Sequence, residues 1–214
     1  MRLFIAAYPP EDVRAHFGAM VSRLAVARPM PPGRSTRLAT PERWHITIAF
    51  LGDVPDEQAD LAVELLHGLS AEPPTVRIAG GGRFGRGRFT TLLAKVREEA
   101  GGVGQEAGGV GRRGRLAEGG GSRLAALGHE VRRSLRRRRL PFDRKPLQPH
   151  VTIARPGDRL SAGELAADLA ALDEYESPLW PVDELRLVRS FLGPNPAYEP
   201  LATVALSGPP GATA

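Results

Sequence analysis

A six-residue segment occurs twice in this 214-residue chain, and the repeat constrains the fold more than any other feature. The copies are Trp44–Ala49 (WHITIA) and Pro149–Ala154 (PHVTIA). Histidine, threonine, isoleucine and alanine match position for position, and the remaining central position is β-branched and aliphatic in both. Since the chain has five histidines in all, chance explains the repeat poorly. The repeat predicts an internal duplication, with two half-domains facing each other across a pseudo-twofold axis.

Strand geometry predicts what each copy presents. Side chains alternate along a strand, so His45 and Thr47 share one face, as do His150 and Thr152, while the aliphatic residues between them point the other way. We expect each half to bury its aliphatic residues under helices and to expose its His–Thr pair. A twofold axis would bring two imidazoles and two hydroxyls into one cleft.

Two facing imidazoles suit a reaction that needs a base and an acid together, because a pKa near 6.5 lets one ring be neutral and the other protonated. In-line displacement at phosphorus has this requirement. One histidine would take a proton from water and the other would protonate the leaving oxygen, while the threonine hydroxyls stabilise the phosphoryl oxygens. The residues alone do not assign the two roles. We expect no cofactor and no metal, since a zinc site from His45 and His150 would need a third ligand, and none stands out.

The rest of the chain predicts an α+β fold: two pseudo-twofold-related lobes, each an antiparallel sheet flanked by helices, around a central cleft. Strands are predicted at 2–8, 43–51, 75–79, 89–96, 149–155, 185–192 and 201–206, with helices at about 9–28, 56–69, 122–140 and 161–172. We expect one bilobal domain over residues 1–214, with a flexible Gly-rich insertion at about 98–121. Gly80–Arg88 is interpreted as a flexible basic loop flanking the cleft.

Composition excludes several classes of protein. Without cysteine there is no disulfide, thiolate nucleophile or iron–sulfur cluster. No apolar run approaches the roughly 18 residues of a membrane span, and the N-terminus does not resemble a signal peptide, so we expect a cytoplasmic protein without membrane association. Residues 97–145 contain 13 basic and 6 acidic residues, which favours a polyanionic partner.

The paired H-x-T motifs resemble those of the two-histidine (2H) phosphoesterase superfamily. RLFIAAYPPEDVR, ERWHITIAFLGDV and PLQPHVTIAR, together with the C-terminal ELRLVRSFLGPNPAYEPLATVAL, are similar to the bacterial and archaeal RNA 2′,3′-cyclic phosphodiesterases, once called 2′–5′ RNA ligases. The resemblance covers nearly the whole chain and fails over about 98–121.

This resemblance implies metal-independent opening of a terminal 2′,3′-cyclic phosphate to a 2′-phosphomonoester, acting on RNA ends or small cyclic nucleotides. It implies that His45 donates a proton to O3′ and His150 is the base for water. Thr47 and Thr152 would hold the phosphate, and Arg155, which matches a basic residue of the family, would bind it too. We expect a monomer.

Two alternatives stay open from the sequence. The same residues would serve the reverse reaction, which joins a 2′,3′-cyclic end to a 5′-hydroxyl as a 2′–5′ linkage. A non-catalytic RNA-binding module would instead use the basic region 97–145, including the arginine-rich face of the helix predicted after Ser122. Phe50, Phe84, Phe191 and Tyr198 are interpreted as core or cleft-wall residues.

Overall fold

The computed structural model describes residues 1–32, 34–99, 122–191 and 197–208, and all structural statements concern these residues. Eight strands are present: β1 (Arg2–Ala7), β2 (Ile46–Asp53), β3 (Thr75–Phe84), β4 (Thr91–Glu98), β5 (His150–Ala154), β6 (Trp180–Pro181), β7 (Glu184–Phe191) and β8 (Ala197–Ala205). Four α-helices accompany them: α1 (Glu11–Val21), α2 (Asp56–His67), α3 (Arg123–Arg137) and α4 (Ala162–Asp173). None of these helices has the length and apolar character of a membrane span.

The eight strands form one antiparallel sheet in the order β6-β3-β4-β5-β2-β1-β7-β8. Its two four-stranded halves meet where β2 pairs with β5, at Ile46 opposite Val151. These two residues occupy the same position in the sequence repeat. An antiparallel pair of equivalent residues is what a local twofold axis requires, so the predicted α+β fold with pseudo-twofold halves is confirmed. The two predicted sheets are joined through this pair into one.

The repeat residues that point away from the histidines form the centre of the core. Ile46, Val151 and Ile153 have no exposed surface, and Ile48 is 1 % exposed. They belong to one apolar cluster with residues from β1, β4 and all four helices. Helix α3 packs against β2, α2 against β7 and β8, and α4 against β3. The helices therefore cover one face of the sheet and leave the His–Thr face open.

Local sequence signals explain where the helices lie. Leu124, Leu127, Val131 and Leu135 recur at helical spacing and are buried along α3. Ser122 caps α3 by accepting a hydrogen bond from the Ala125 amide. The first turn of α4 is closed by a capping box between Ser161 and Glu164.

Two sequence predictions are corrected by the structure. Helix α1 ends at Val21, and a 3-10 turn at Ala25–Ala27 replaces its predicted continuation to Arg28. The predicted loop Gly80–Arg88 is strand as far as Phe84. Glycine is needed within this strand because a Cβ on Gly81 would lie 2.8 Å from the Leu169 carbonyl oxygen of α4. The predicted Gly-rich insertion lies outside the described residues, apart from its first two positions.

Candidate active site

Both motif histidines lie at the junction of the two halves of the sheet. His45 directly precedes β2 and His150 begins β5. In the antiparallel register set by the Ile46–Val151 pair, His45 lies across from Thr152 and Thr47 lies across from His150. Each histidine therefore neighbours the threonine of the other repeat. The structure brings all four predicted side chains to the open face of the sheet.

The two imidazoles are anchored in the same way. His45 Nδ1 lies 2.7 Å from the Arg43 carbonyl oxygen, and His150 Nδ1 lies 2.6 Å from the Gln148 carbonyl oxygen. A carbonyl oxygen can only accept, so Nδ1 carries the proton and donates in both rings. Nε2 is then the nitrogen that each ring leaves available for substrate. The acceptor is two residues before the histidine in both cases, so both copies of the sequence repeat make the same contact.

His45 is surrounded by aromatic rings. Phe4 stacks on the imidazole with centroids 4.9 Å apart, while Tyr8 and Tyr198 lie at 5.6 and 5.5 Å. The pKa of His45 is lowered from 6.5 to about 4, mainly by burial among these rings and to a smaller extent by the charges of His150 and Arg43. The hydrogen bond to Arg43 opposes this change but does not cancel it. His45 is therefore neutral at pH 7 in the protein without substrate.

His150 has a different environment. One aromatic ring, that of Phe84, meets it edge-on with centroids 5.0 Å apart. On the neighbouring strand β4, Lys95 is the residue paired with His150. The ring is thus more open to solvent than that of His45, and the nearest strand offers a cation instead of an aromatic wall.

Thr47 and Thr152 are half-buried on the open face. Neither hydroxyl is hydrogen bonded to another group in the described part of the chain. Both hydroxyls therefore remain available to donate to a bound anion. This arrangement matches the prediction that each threonine shares a face with its histidine.

The structure places Arg155 outside the His–Thr cluster. It directly follows β5, and its amide donates to the Thr36 carbonyl oxygen at 3.1 Å. Its side chain is exposed and lines a cavity of about 360 Å³ at the end of β5. A larger cavity, of about 480 Å³, lies at the start of α2 and is lined by Asp56, Glu57 and Asp60, away from both histidines. The described residues contain no group of three or more histidine or acidic side chains placed to hold a metal ion.

Sequence reasoning missed the aromatic residues of β1 that contact His45. Phe4 and Tyr8 lie in or directly after β1, which the sequence indicated as a buried strand without distinguishing its faces. Phe4 and Ala6 form a second, separate apolar cluster with Val188, against which Tyr8 and Tyr198 pack. The alternation of Phe4, Ala6 and Tyr8 was the available signal. Tyr198 and Phe84, predicted as core or cleft-wall residues, line the site beside His45 and His150.

Comparison with known proteins identifies the family. A family model described as the 2′-5′ RNA ligase superfamily matches residues 9–191. The chain belongs to this superfamily. A curated Thermus thermophilus protein named RNA 2′,3′-cyclic phosphodiesterase is 33 % identical over 216 residues, covering 99 % of this chain and 93 % of the relative. A Geobacillus stearothermophilus protein of the same name is 30 % identical over 174 residues, covering 79 % of this chain and 47 % of that longer relative.

Solved structures support the same fold. The crystal structure of a Thermus thermophilus protein matches with a TM-score of 0.68 and 27 % identity, over 97 % of this chain and 99 % of that chain. Escherichia coli LigT in its apo form matches with a TM-score of 0.63 and 20 % identity, over 96 % and 97 % of the two chains. The resemblance predicted from the paired motifs is thereby confirmed at the level of family and fold.

Proposed function

We propose that this protein is an RNA 2′,3′-cyclic phosphodiesterase that opens terminal cyclic phosphates to 2′-phosphomonoesters, with His45 and His150 as acid and base. Relatives at 30–33 % identity carry the name of this activity. The observation that carries the proposal is the matched anchoring of the two imidazoles, which leaves both Nε2 atoms for substrate across the pseudo-twofold junction.

In the proposed reaction, water attacks phosphorus in line with the bond to O3′. The base histidine takes a proton from the water as the new P–O bond forms. The P–O3′ bond breaks, and the acid histidine gives its proton to O3′, so phosphorus stays on O2′. The family resemblance gives the acid role to His45 and the base role to His150. Each proton transfer contributes about 10²–10⁴ in rate, and the scheme needs no metal ion.

Because the pKa of His45 is low, its role as the acid requires that it first gain a proton. The cyclic phosphate is a monoanion, and an anion beside an imidazole raises its pKa because it stabilises the charged form. Substrate binding would therefore load His45 with the proton that it later donates. The aromatic wall of Phe4, Tyr8 and Tyr198 would strengthen this effect, since charges interact more strongly where water is excluded.

The threonines would stabilise the charge of the reacting phosphate, and Arg155 would bind the substrate elsewhere. Thr47 and Thr152 would each donate a hydrogen bond to a non-bridging oxygen, from opposite sides of the junction. Arg155, at the end of β5, would bind a phosphate of the substrate other than the reacting one. Its place outside the His–Thr cluster favours contact with the outer side of the substrate.

A direct experiment uses an RNA oligonucleotide with a 2′,3′-cyclic end, and identifies by ³¹P NMR which hydroxyl keeps the phosphorus. We expect the 2′-phosphomonoester, formed at the same rate in the presence of EDTA. A 3′-phosphomonoester, no product, or loss of the rate in EDTA with recovery on adding a divalent ion would each contradict the proposal.

The reverse reaction is a second candidate function, because the matching family model is described as the 2′-5′ RNA ligase superfamily. Microscopic reversibility allows the same acid and base to join a cyclic end to a 5′-hydroxyl in place of water. In dilute solution the concentration of water favours hydrolysis. Incubation with a second RNA bearing a 5′-hydroxyl, followed by analysis for a 2′–5′ linkage, measures the share of this reaction.

A purely RNA-binding module receives less support from the structure. Arginines 133 and 137 of α3 pair with Glu130, and Arg138 pairs with Glu64. Helix α3 also packs on the face of β2 opposite to His45. The charge of this helix is therefore partly neutralised and does not face the open side of the sheet.

A further inference from the structure

A cavity lies at the C-terminal end of β5, where three chain segments converge. Segment 34–39 runs beside the end of the strand: the Ala39 amide donates to the Ile153 carbonyl oxygen at 2.8 Å, and Leu38 pairs with Ala154. The loop after β5 packs against the β3–β4 hairpin, since a Cβ on Gly157 would lie 3.1 Å from the Arg88 carbonyl oxygen. The resulting arginine cavity of about 360 Å³ is lined by Arg37, Arg88, Phe89, Thr90, Thr91, Arg155 and Arg159.

The arginine cavity concentrates positive charge without internal compensation. Arg37, Arg88, Arg155 and Arg159 come from the three different segments. None of them forms an ion pair with any other residue that the structure describes. Gathering unpaired guanidinium groups costs self-repulsion, which a bound anion offsets. This cavity therefore differs from α3, where several arginines already have carboxylate partners.

Arg37 is held in a strained backbone conformation. Its φ is +53°, in the left-handed region that non-glycine residues seldom adopt. The Arg37 amide donates to Ser35 Oγ at 3.0 Å, which stabilises the turn. Strain of this kind is kept where the surrounding structure fixes it, so the position of Arg37 at the cavity is well defined.

Phe89 gives the arginine cavity an aromatic rim. It is 70 % exposed, the largest exposed fraction among the large apolar side chains described. The Arg88 guanidinium lies over its ring, 4.8 Å from the centroid. An exposed aromatic ring beside unpaired arginines is the combination that binds single-stranded nucleic acid, where bases stack on the ring and the cations contact the phosphates.

The β3–β4 hairpin contributes residues to both the arginine cavity and the candidate active site, which are separate. The β3–β4 hairpin places Phe84 against His150 and, after its turn, places Arg88 and Phe89 at the cavity. Along β5, five residues at about 3.3 Å each give about 16 Å from His150 to Arg155. A group bound in the cavity is thus too far away to be the phosphate that reacts between the histidines.

We propose that the arginine cavity binds a backbone phosphate and a base of the RNA strand on the 5′ side of the cyclic end. This rests on the proposed function, because a cyclic phosphate terminates the 3′ end and every other phosphate of the strand lies on its 5′ side. The cavity then makes the protein prefer oligonucleotides to mononucleotides. The preferred substrate is then a single-stranded RNA several nucleotides long, while the chemistry at the histidines is unchanged.

The test compares two substrates, cytidine 2′,3′-cyclic phosphate and a single-stranded RNA hexamer with a 2′,3′-cyclic end. In the Arg37→Ala/Arg88→Ala variant we expect kcat/KM for the hexamer to fall by about 10- to 100-fold, since each lost contact is a charge-assisted hydrogen bond. The value for the mononucleotide should stay within about twofold of wild type, because neither arginine contacts the reacting phosphate. Phe89→Ala should lower the hexamer value by about tenfold through lost stacking.

The matched control is Arg136→Ala/Arg139→Ala, at the end of α3. It removes the same charge, Arg139 has a left-handed φ (+57°) like Arg37, and neither residue is ion-paired within the described chain. This control should leave both substrates unaffected. Equal loss of hexamer activity in the control, or equal loss on both substrates in the cavity variant, would overturn the proposal.

A binding measurement separates this proposal from the proposed function. Fluorescence anisotropy with a labelled RNA hexamer ending in an ordinary 3′-hydroxyl needs no catalysis. The cavity variant should bind about tenfold more weakly than the α3 control and show a smaller salt dependence. If wild type hydrolyses neither cyclic substrate, the proposed function fails while this binding result still decides the cavity. Equal affinity of both variants would overturn the cavity proposal even if hydrolysis is confirmed.

Discussion

The two halves of the site share their geometry and differ in their surroundings. In both, a histidine donates from Nδ1 to a carbonyl two residues earlier and shares a face with a threonine. Around His45 there are three aromatic rings, whereas His150 has one aromatic ring and a paired lysine. The two copies of the repeat thus share the backbone anchor of the ring and differ in the side chains that cover it.

The aromatic surroundings of His45 lower its pKa, because burial disfavours the charged form of the imidazole. The rings responsible, those of Phe4, Tyr8 and Tyr198, come from β1, from the residue directly after it and from β8. The surroundings of His45 are therefore set by long-range packing and not by the H-x-T motif itself.

The largest effect should come from removing either imidazole. His45→Ala and His150→Ala should each lower kcat by about 10²–10⁴, because each removes one proton transfer. Steady-state hydrolysis of a cyclic-ended RNA measures this, with His129→Ala on the exposed face of α3 as the matched control. Wild-type turnover in either motif variant would show that the two halves are not equivalent and that the replaced histidine takes no part in the reaction.

The threonines test whether the anion is held symmetrically. Thr47→Val and Thr152→Val keep the shape of the side chain and remove its hydroxyl. Each should lower kcat by about 10²–10³, the usual loss for one donor to a developing anion. If one valine variant keeps full activity while the other does not, the phosphate contacts one half only.

Removing one aromatic ring beside each histidine tests the cause of the low pKa of His45. Tyr198→Ala lets water reach His45, and we expect its pKa to rise from about 4 towards 6.5. Phe84→Ala, the corresponding change beside His150, should leave the His45 pKa at about 4. Titration of the histidine ring signals by NMR measures both variants. An unchanged His45 pKa in Tyr198→Ala would show that burial by this wall is not the cause.

The smallest effect concerns stability. The unfolded chain binds a proton at His45 below about pH 6.5, while the folded protein binds it only near pH 4. The unfolded state is therefore favoured as the pH falls through this window, by at most about 1.4 kcal/mol per pH unit. His45→Gln removes the contribution. Urea unfolding at pH 5 and pH 7 should show that the free energy of unfolding depends less on pH for His45→Gln than for wild type. Identical pH dependences would contradict the lowered pKa of His45.

The sequence predicted the parts of the site that depend on local periodicity. The repeat of Trp44–Ala49 in Pro149–Ala154 was sufficient to place each histidine on the same strand face as its threonine and to predict two pseudo-twofold-related halves. Helix boundaries followed from caps such as Ser122 and Ser161. These features involve residues close together in sequence.

The remaining features depend on contacts between distant residues. Gly80–Gly82 resembles a turn in sequence, yet it lies within strand β3. Position 81 is glycine because α4 approaches it too closely for a side chain. The different surroundings of His45 and His150 require knowledge of which strands are neighbours. The arginine cavity joins three segments that no local pattern relates, and Arg155 is the one member that the motif indicated.

The central claim is that both imidazoles contact a single phosphate, and ¹⁵N NMR of the histidine side chains during titration with a nucleoside 2′-monophosphate tests it most directly. We predict that the Nε2 signals of His45 and His150 move together with one dissociation constant, while those of His16, His67 and His129 stay in place. Movement of only one of the two signals, or two distinct dissociation constants, would contradict the claim.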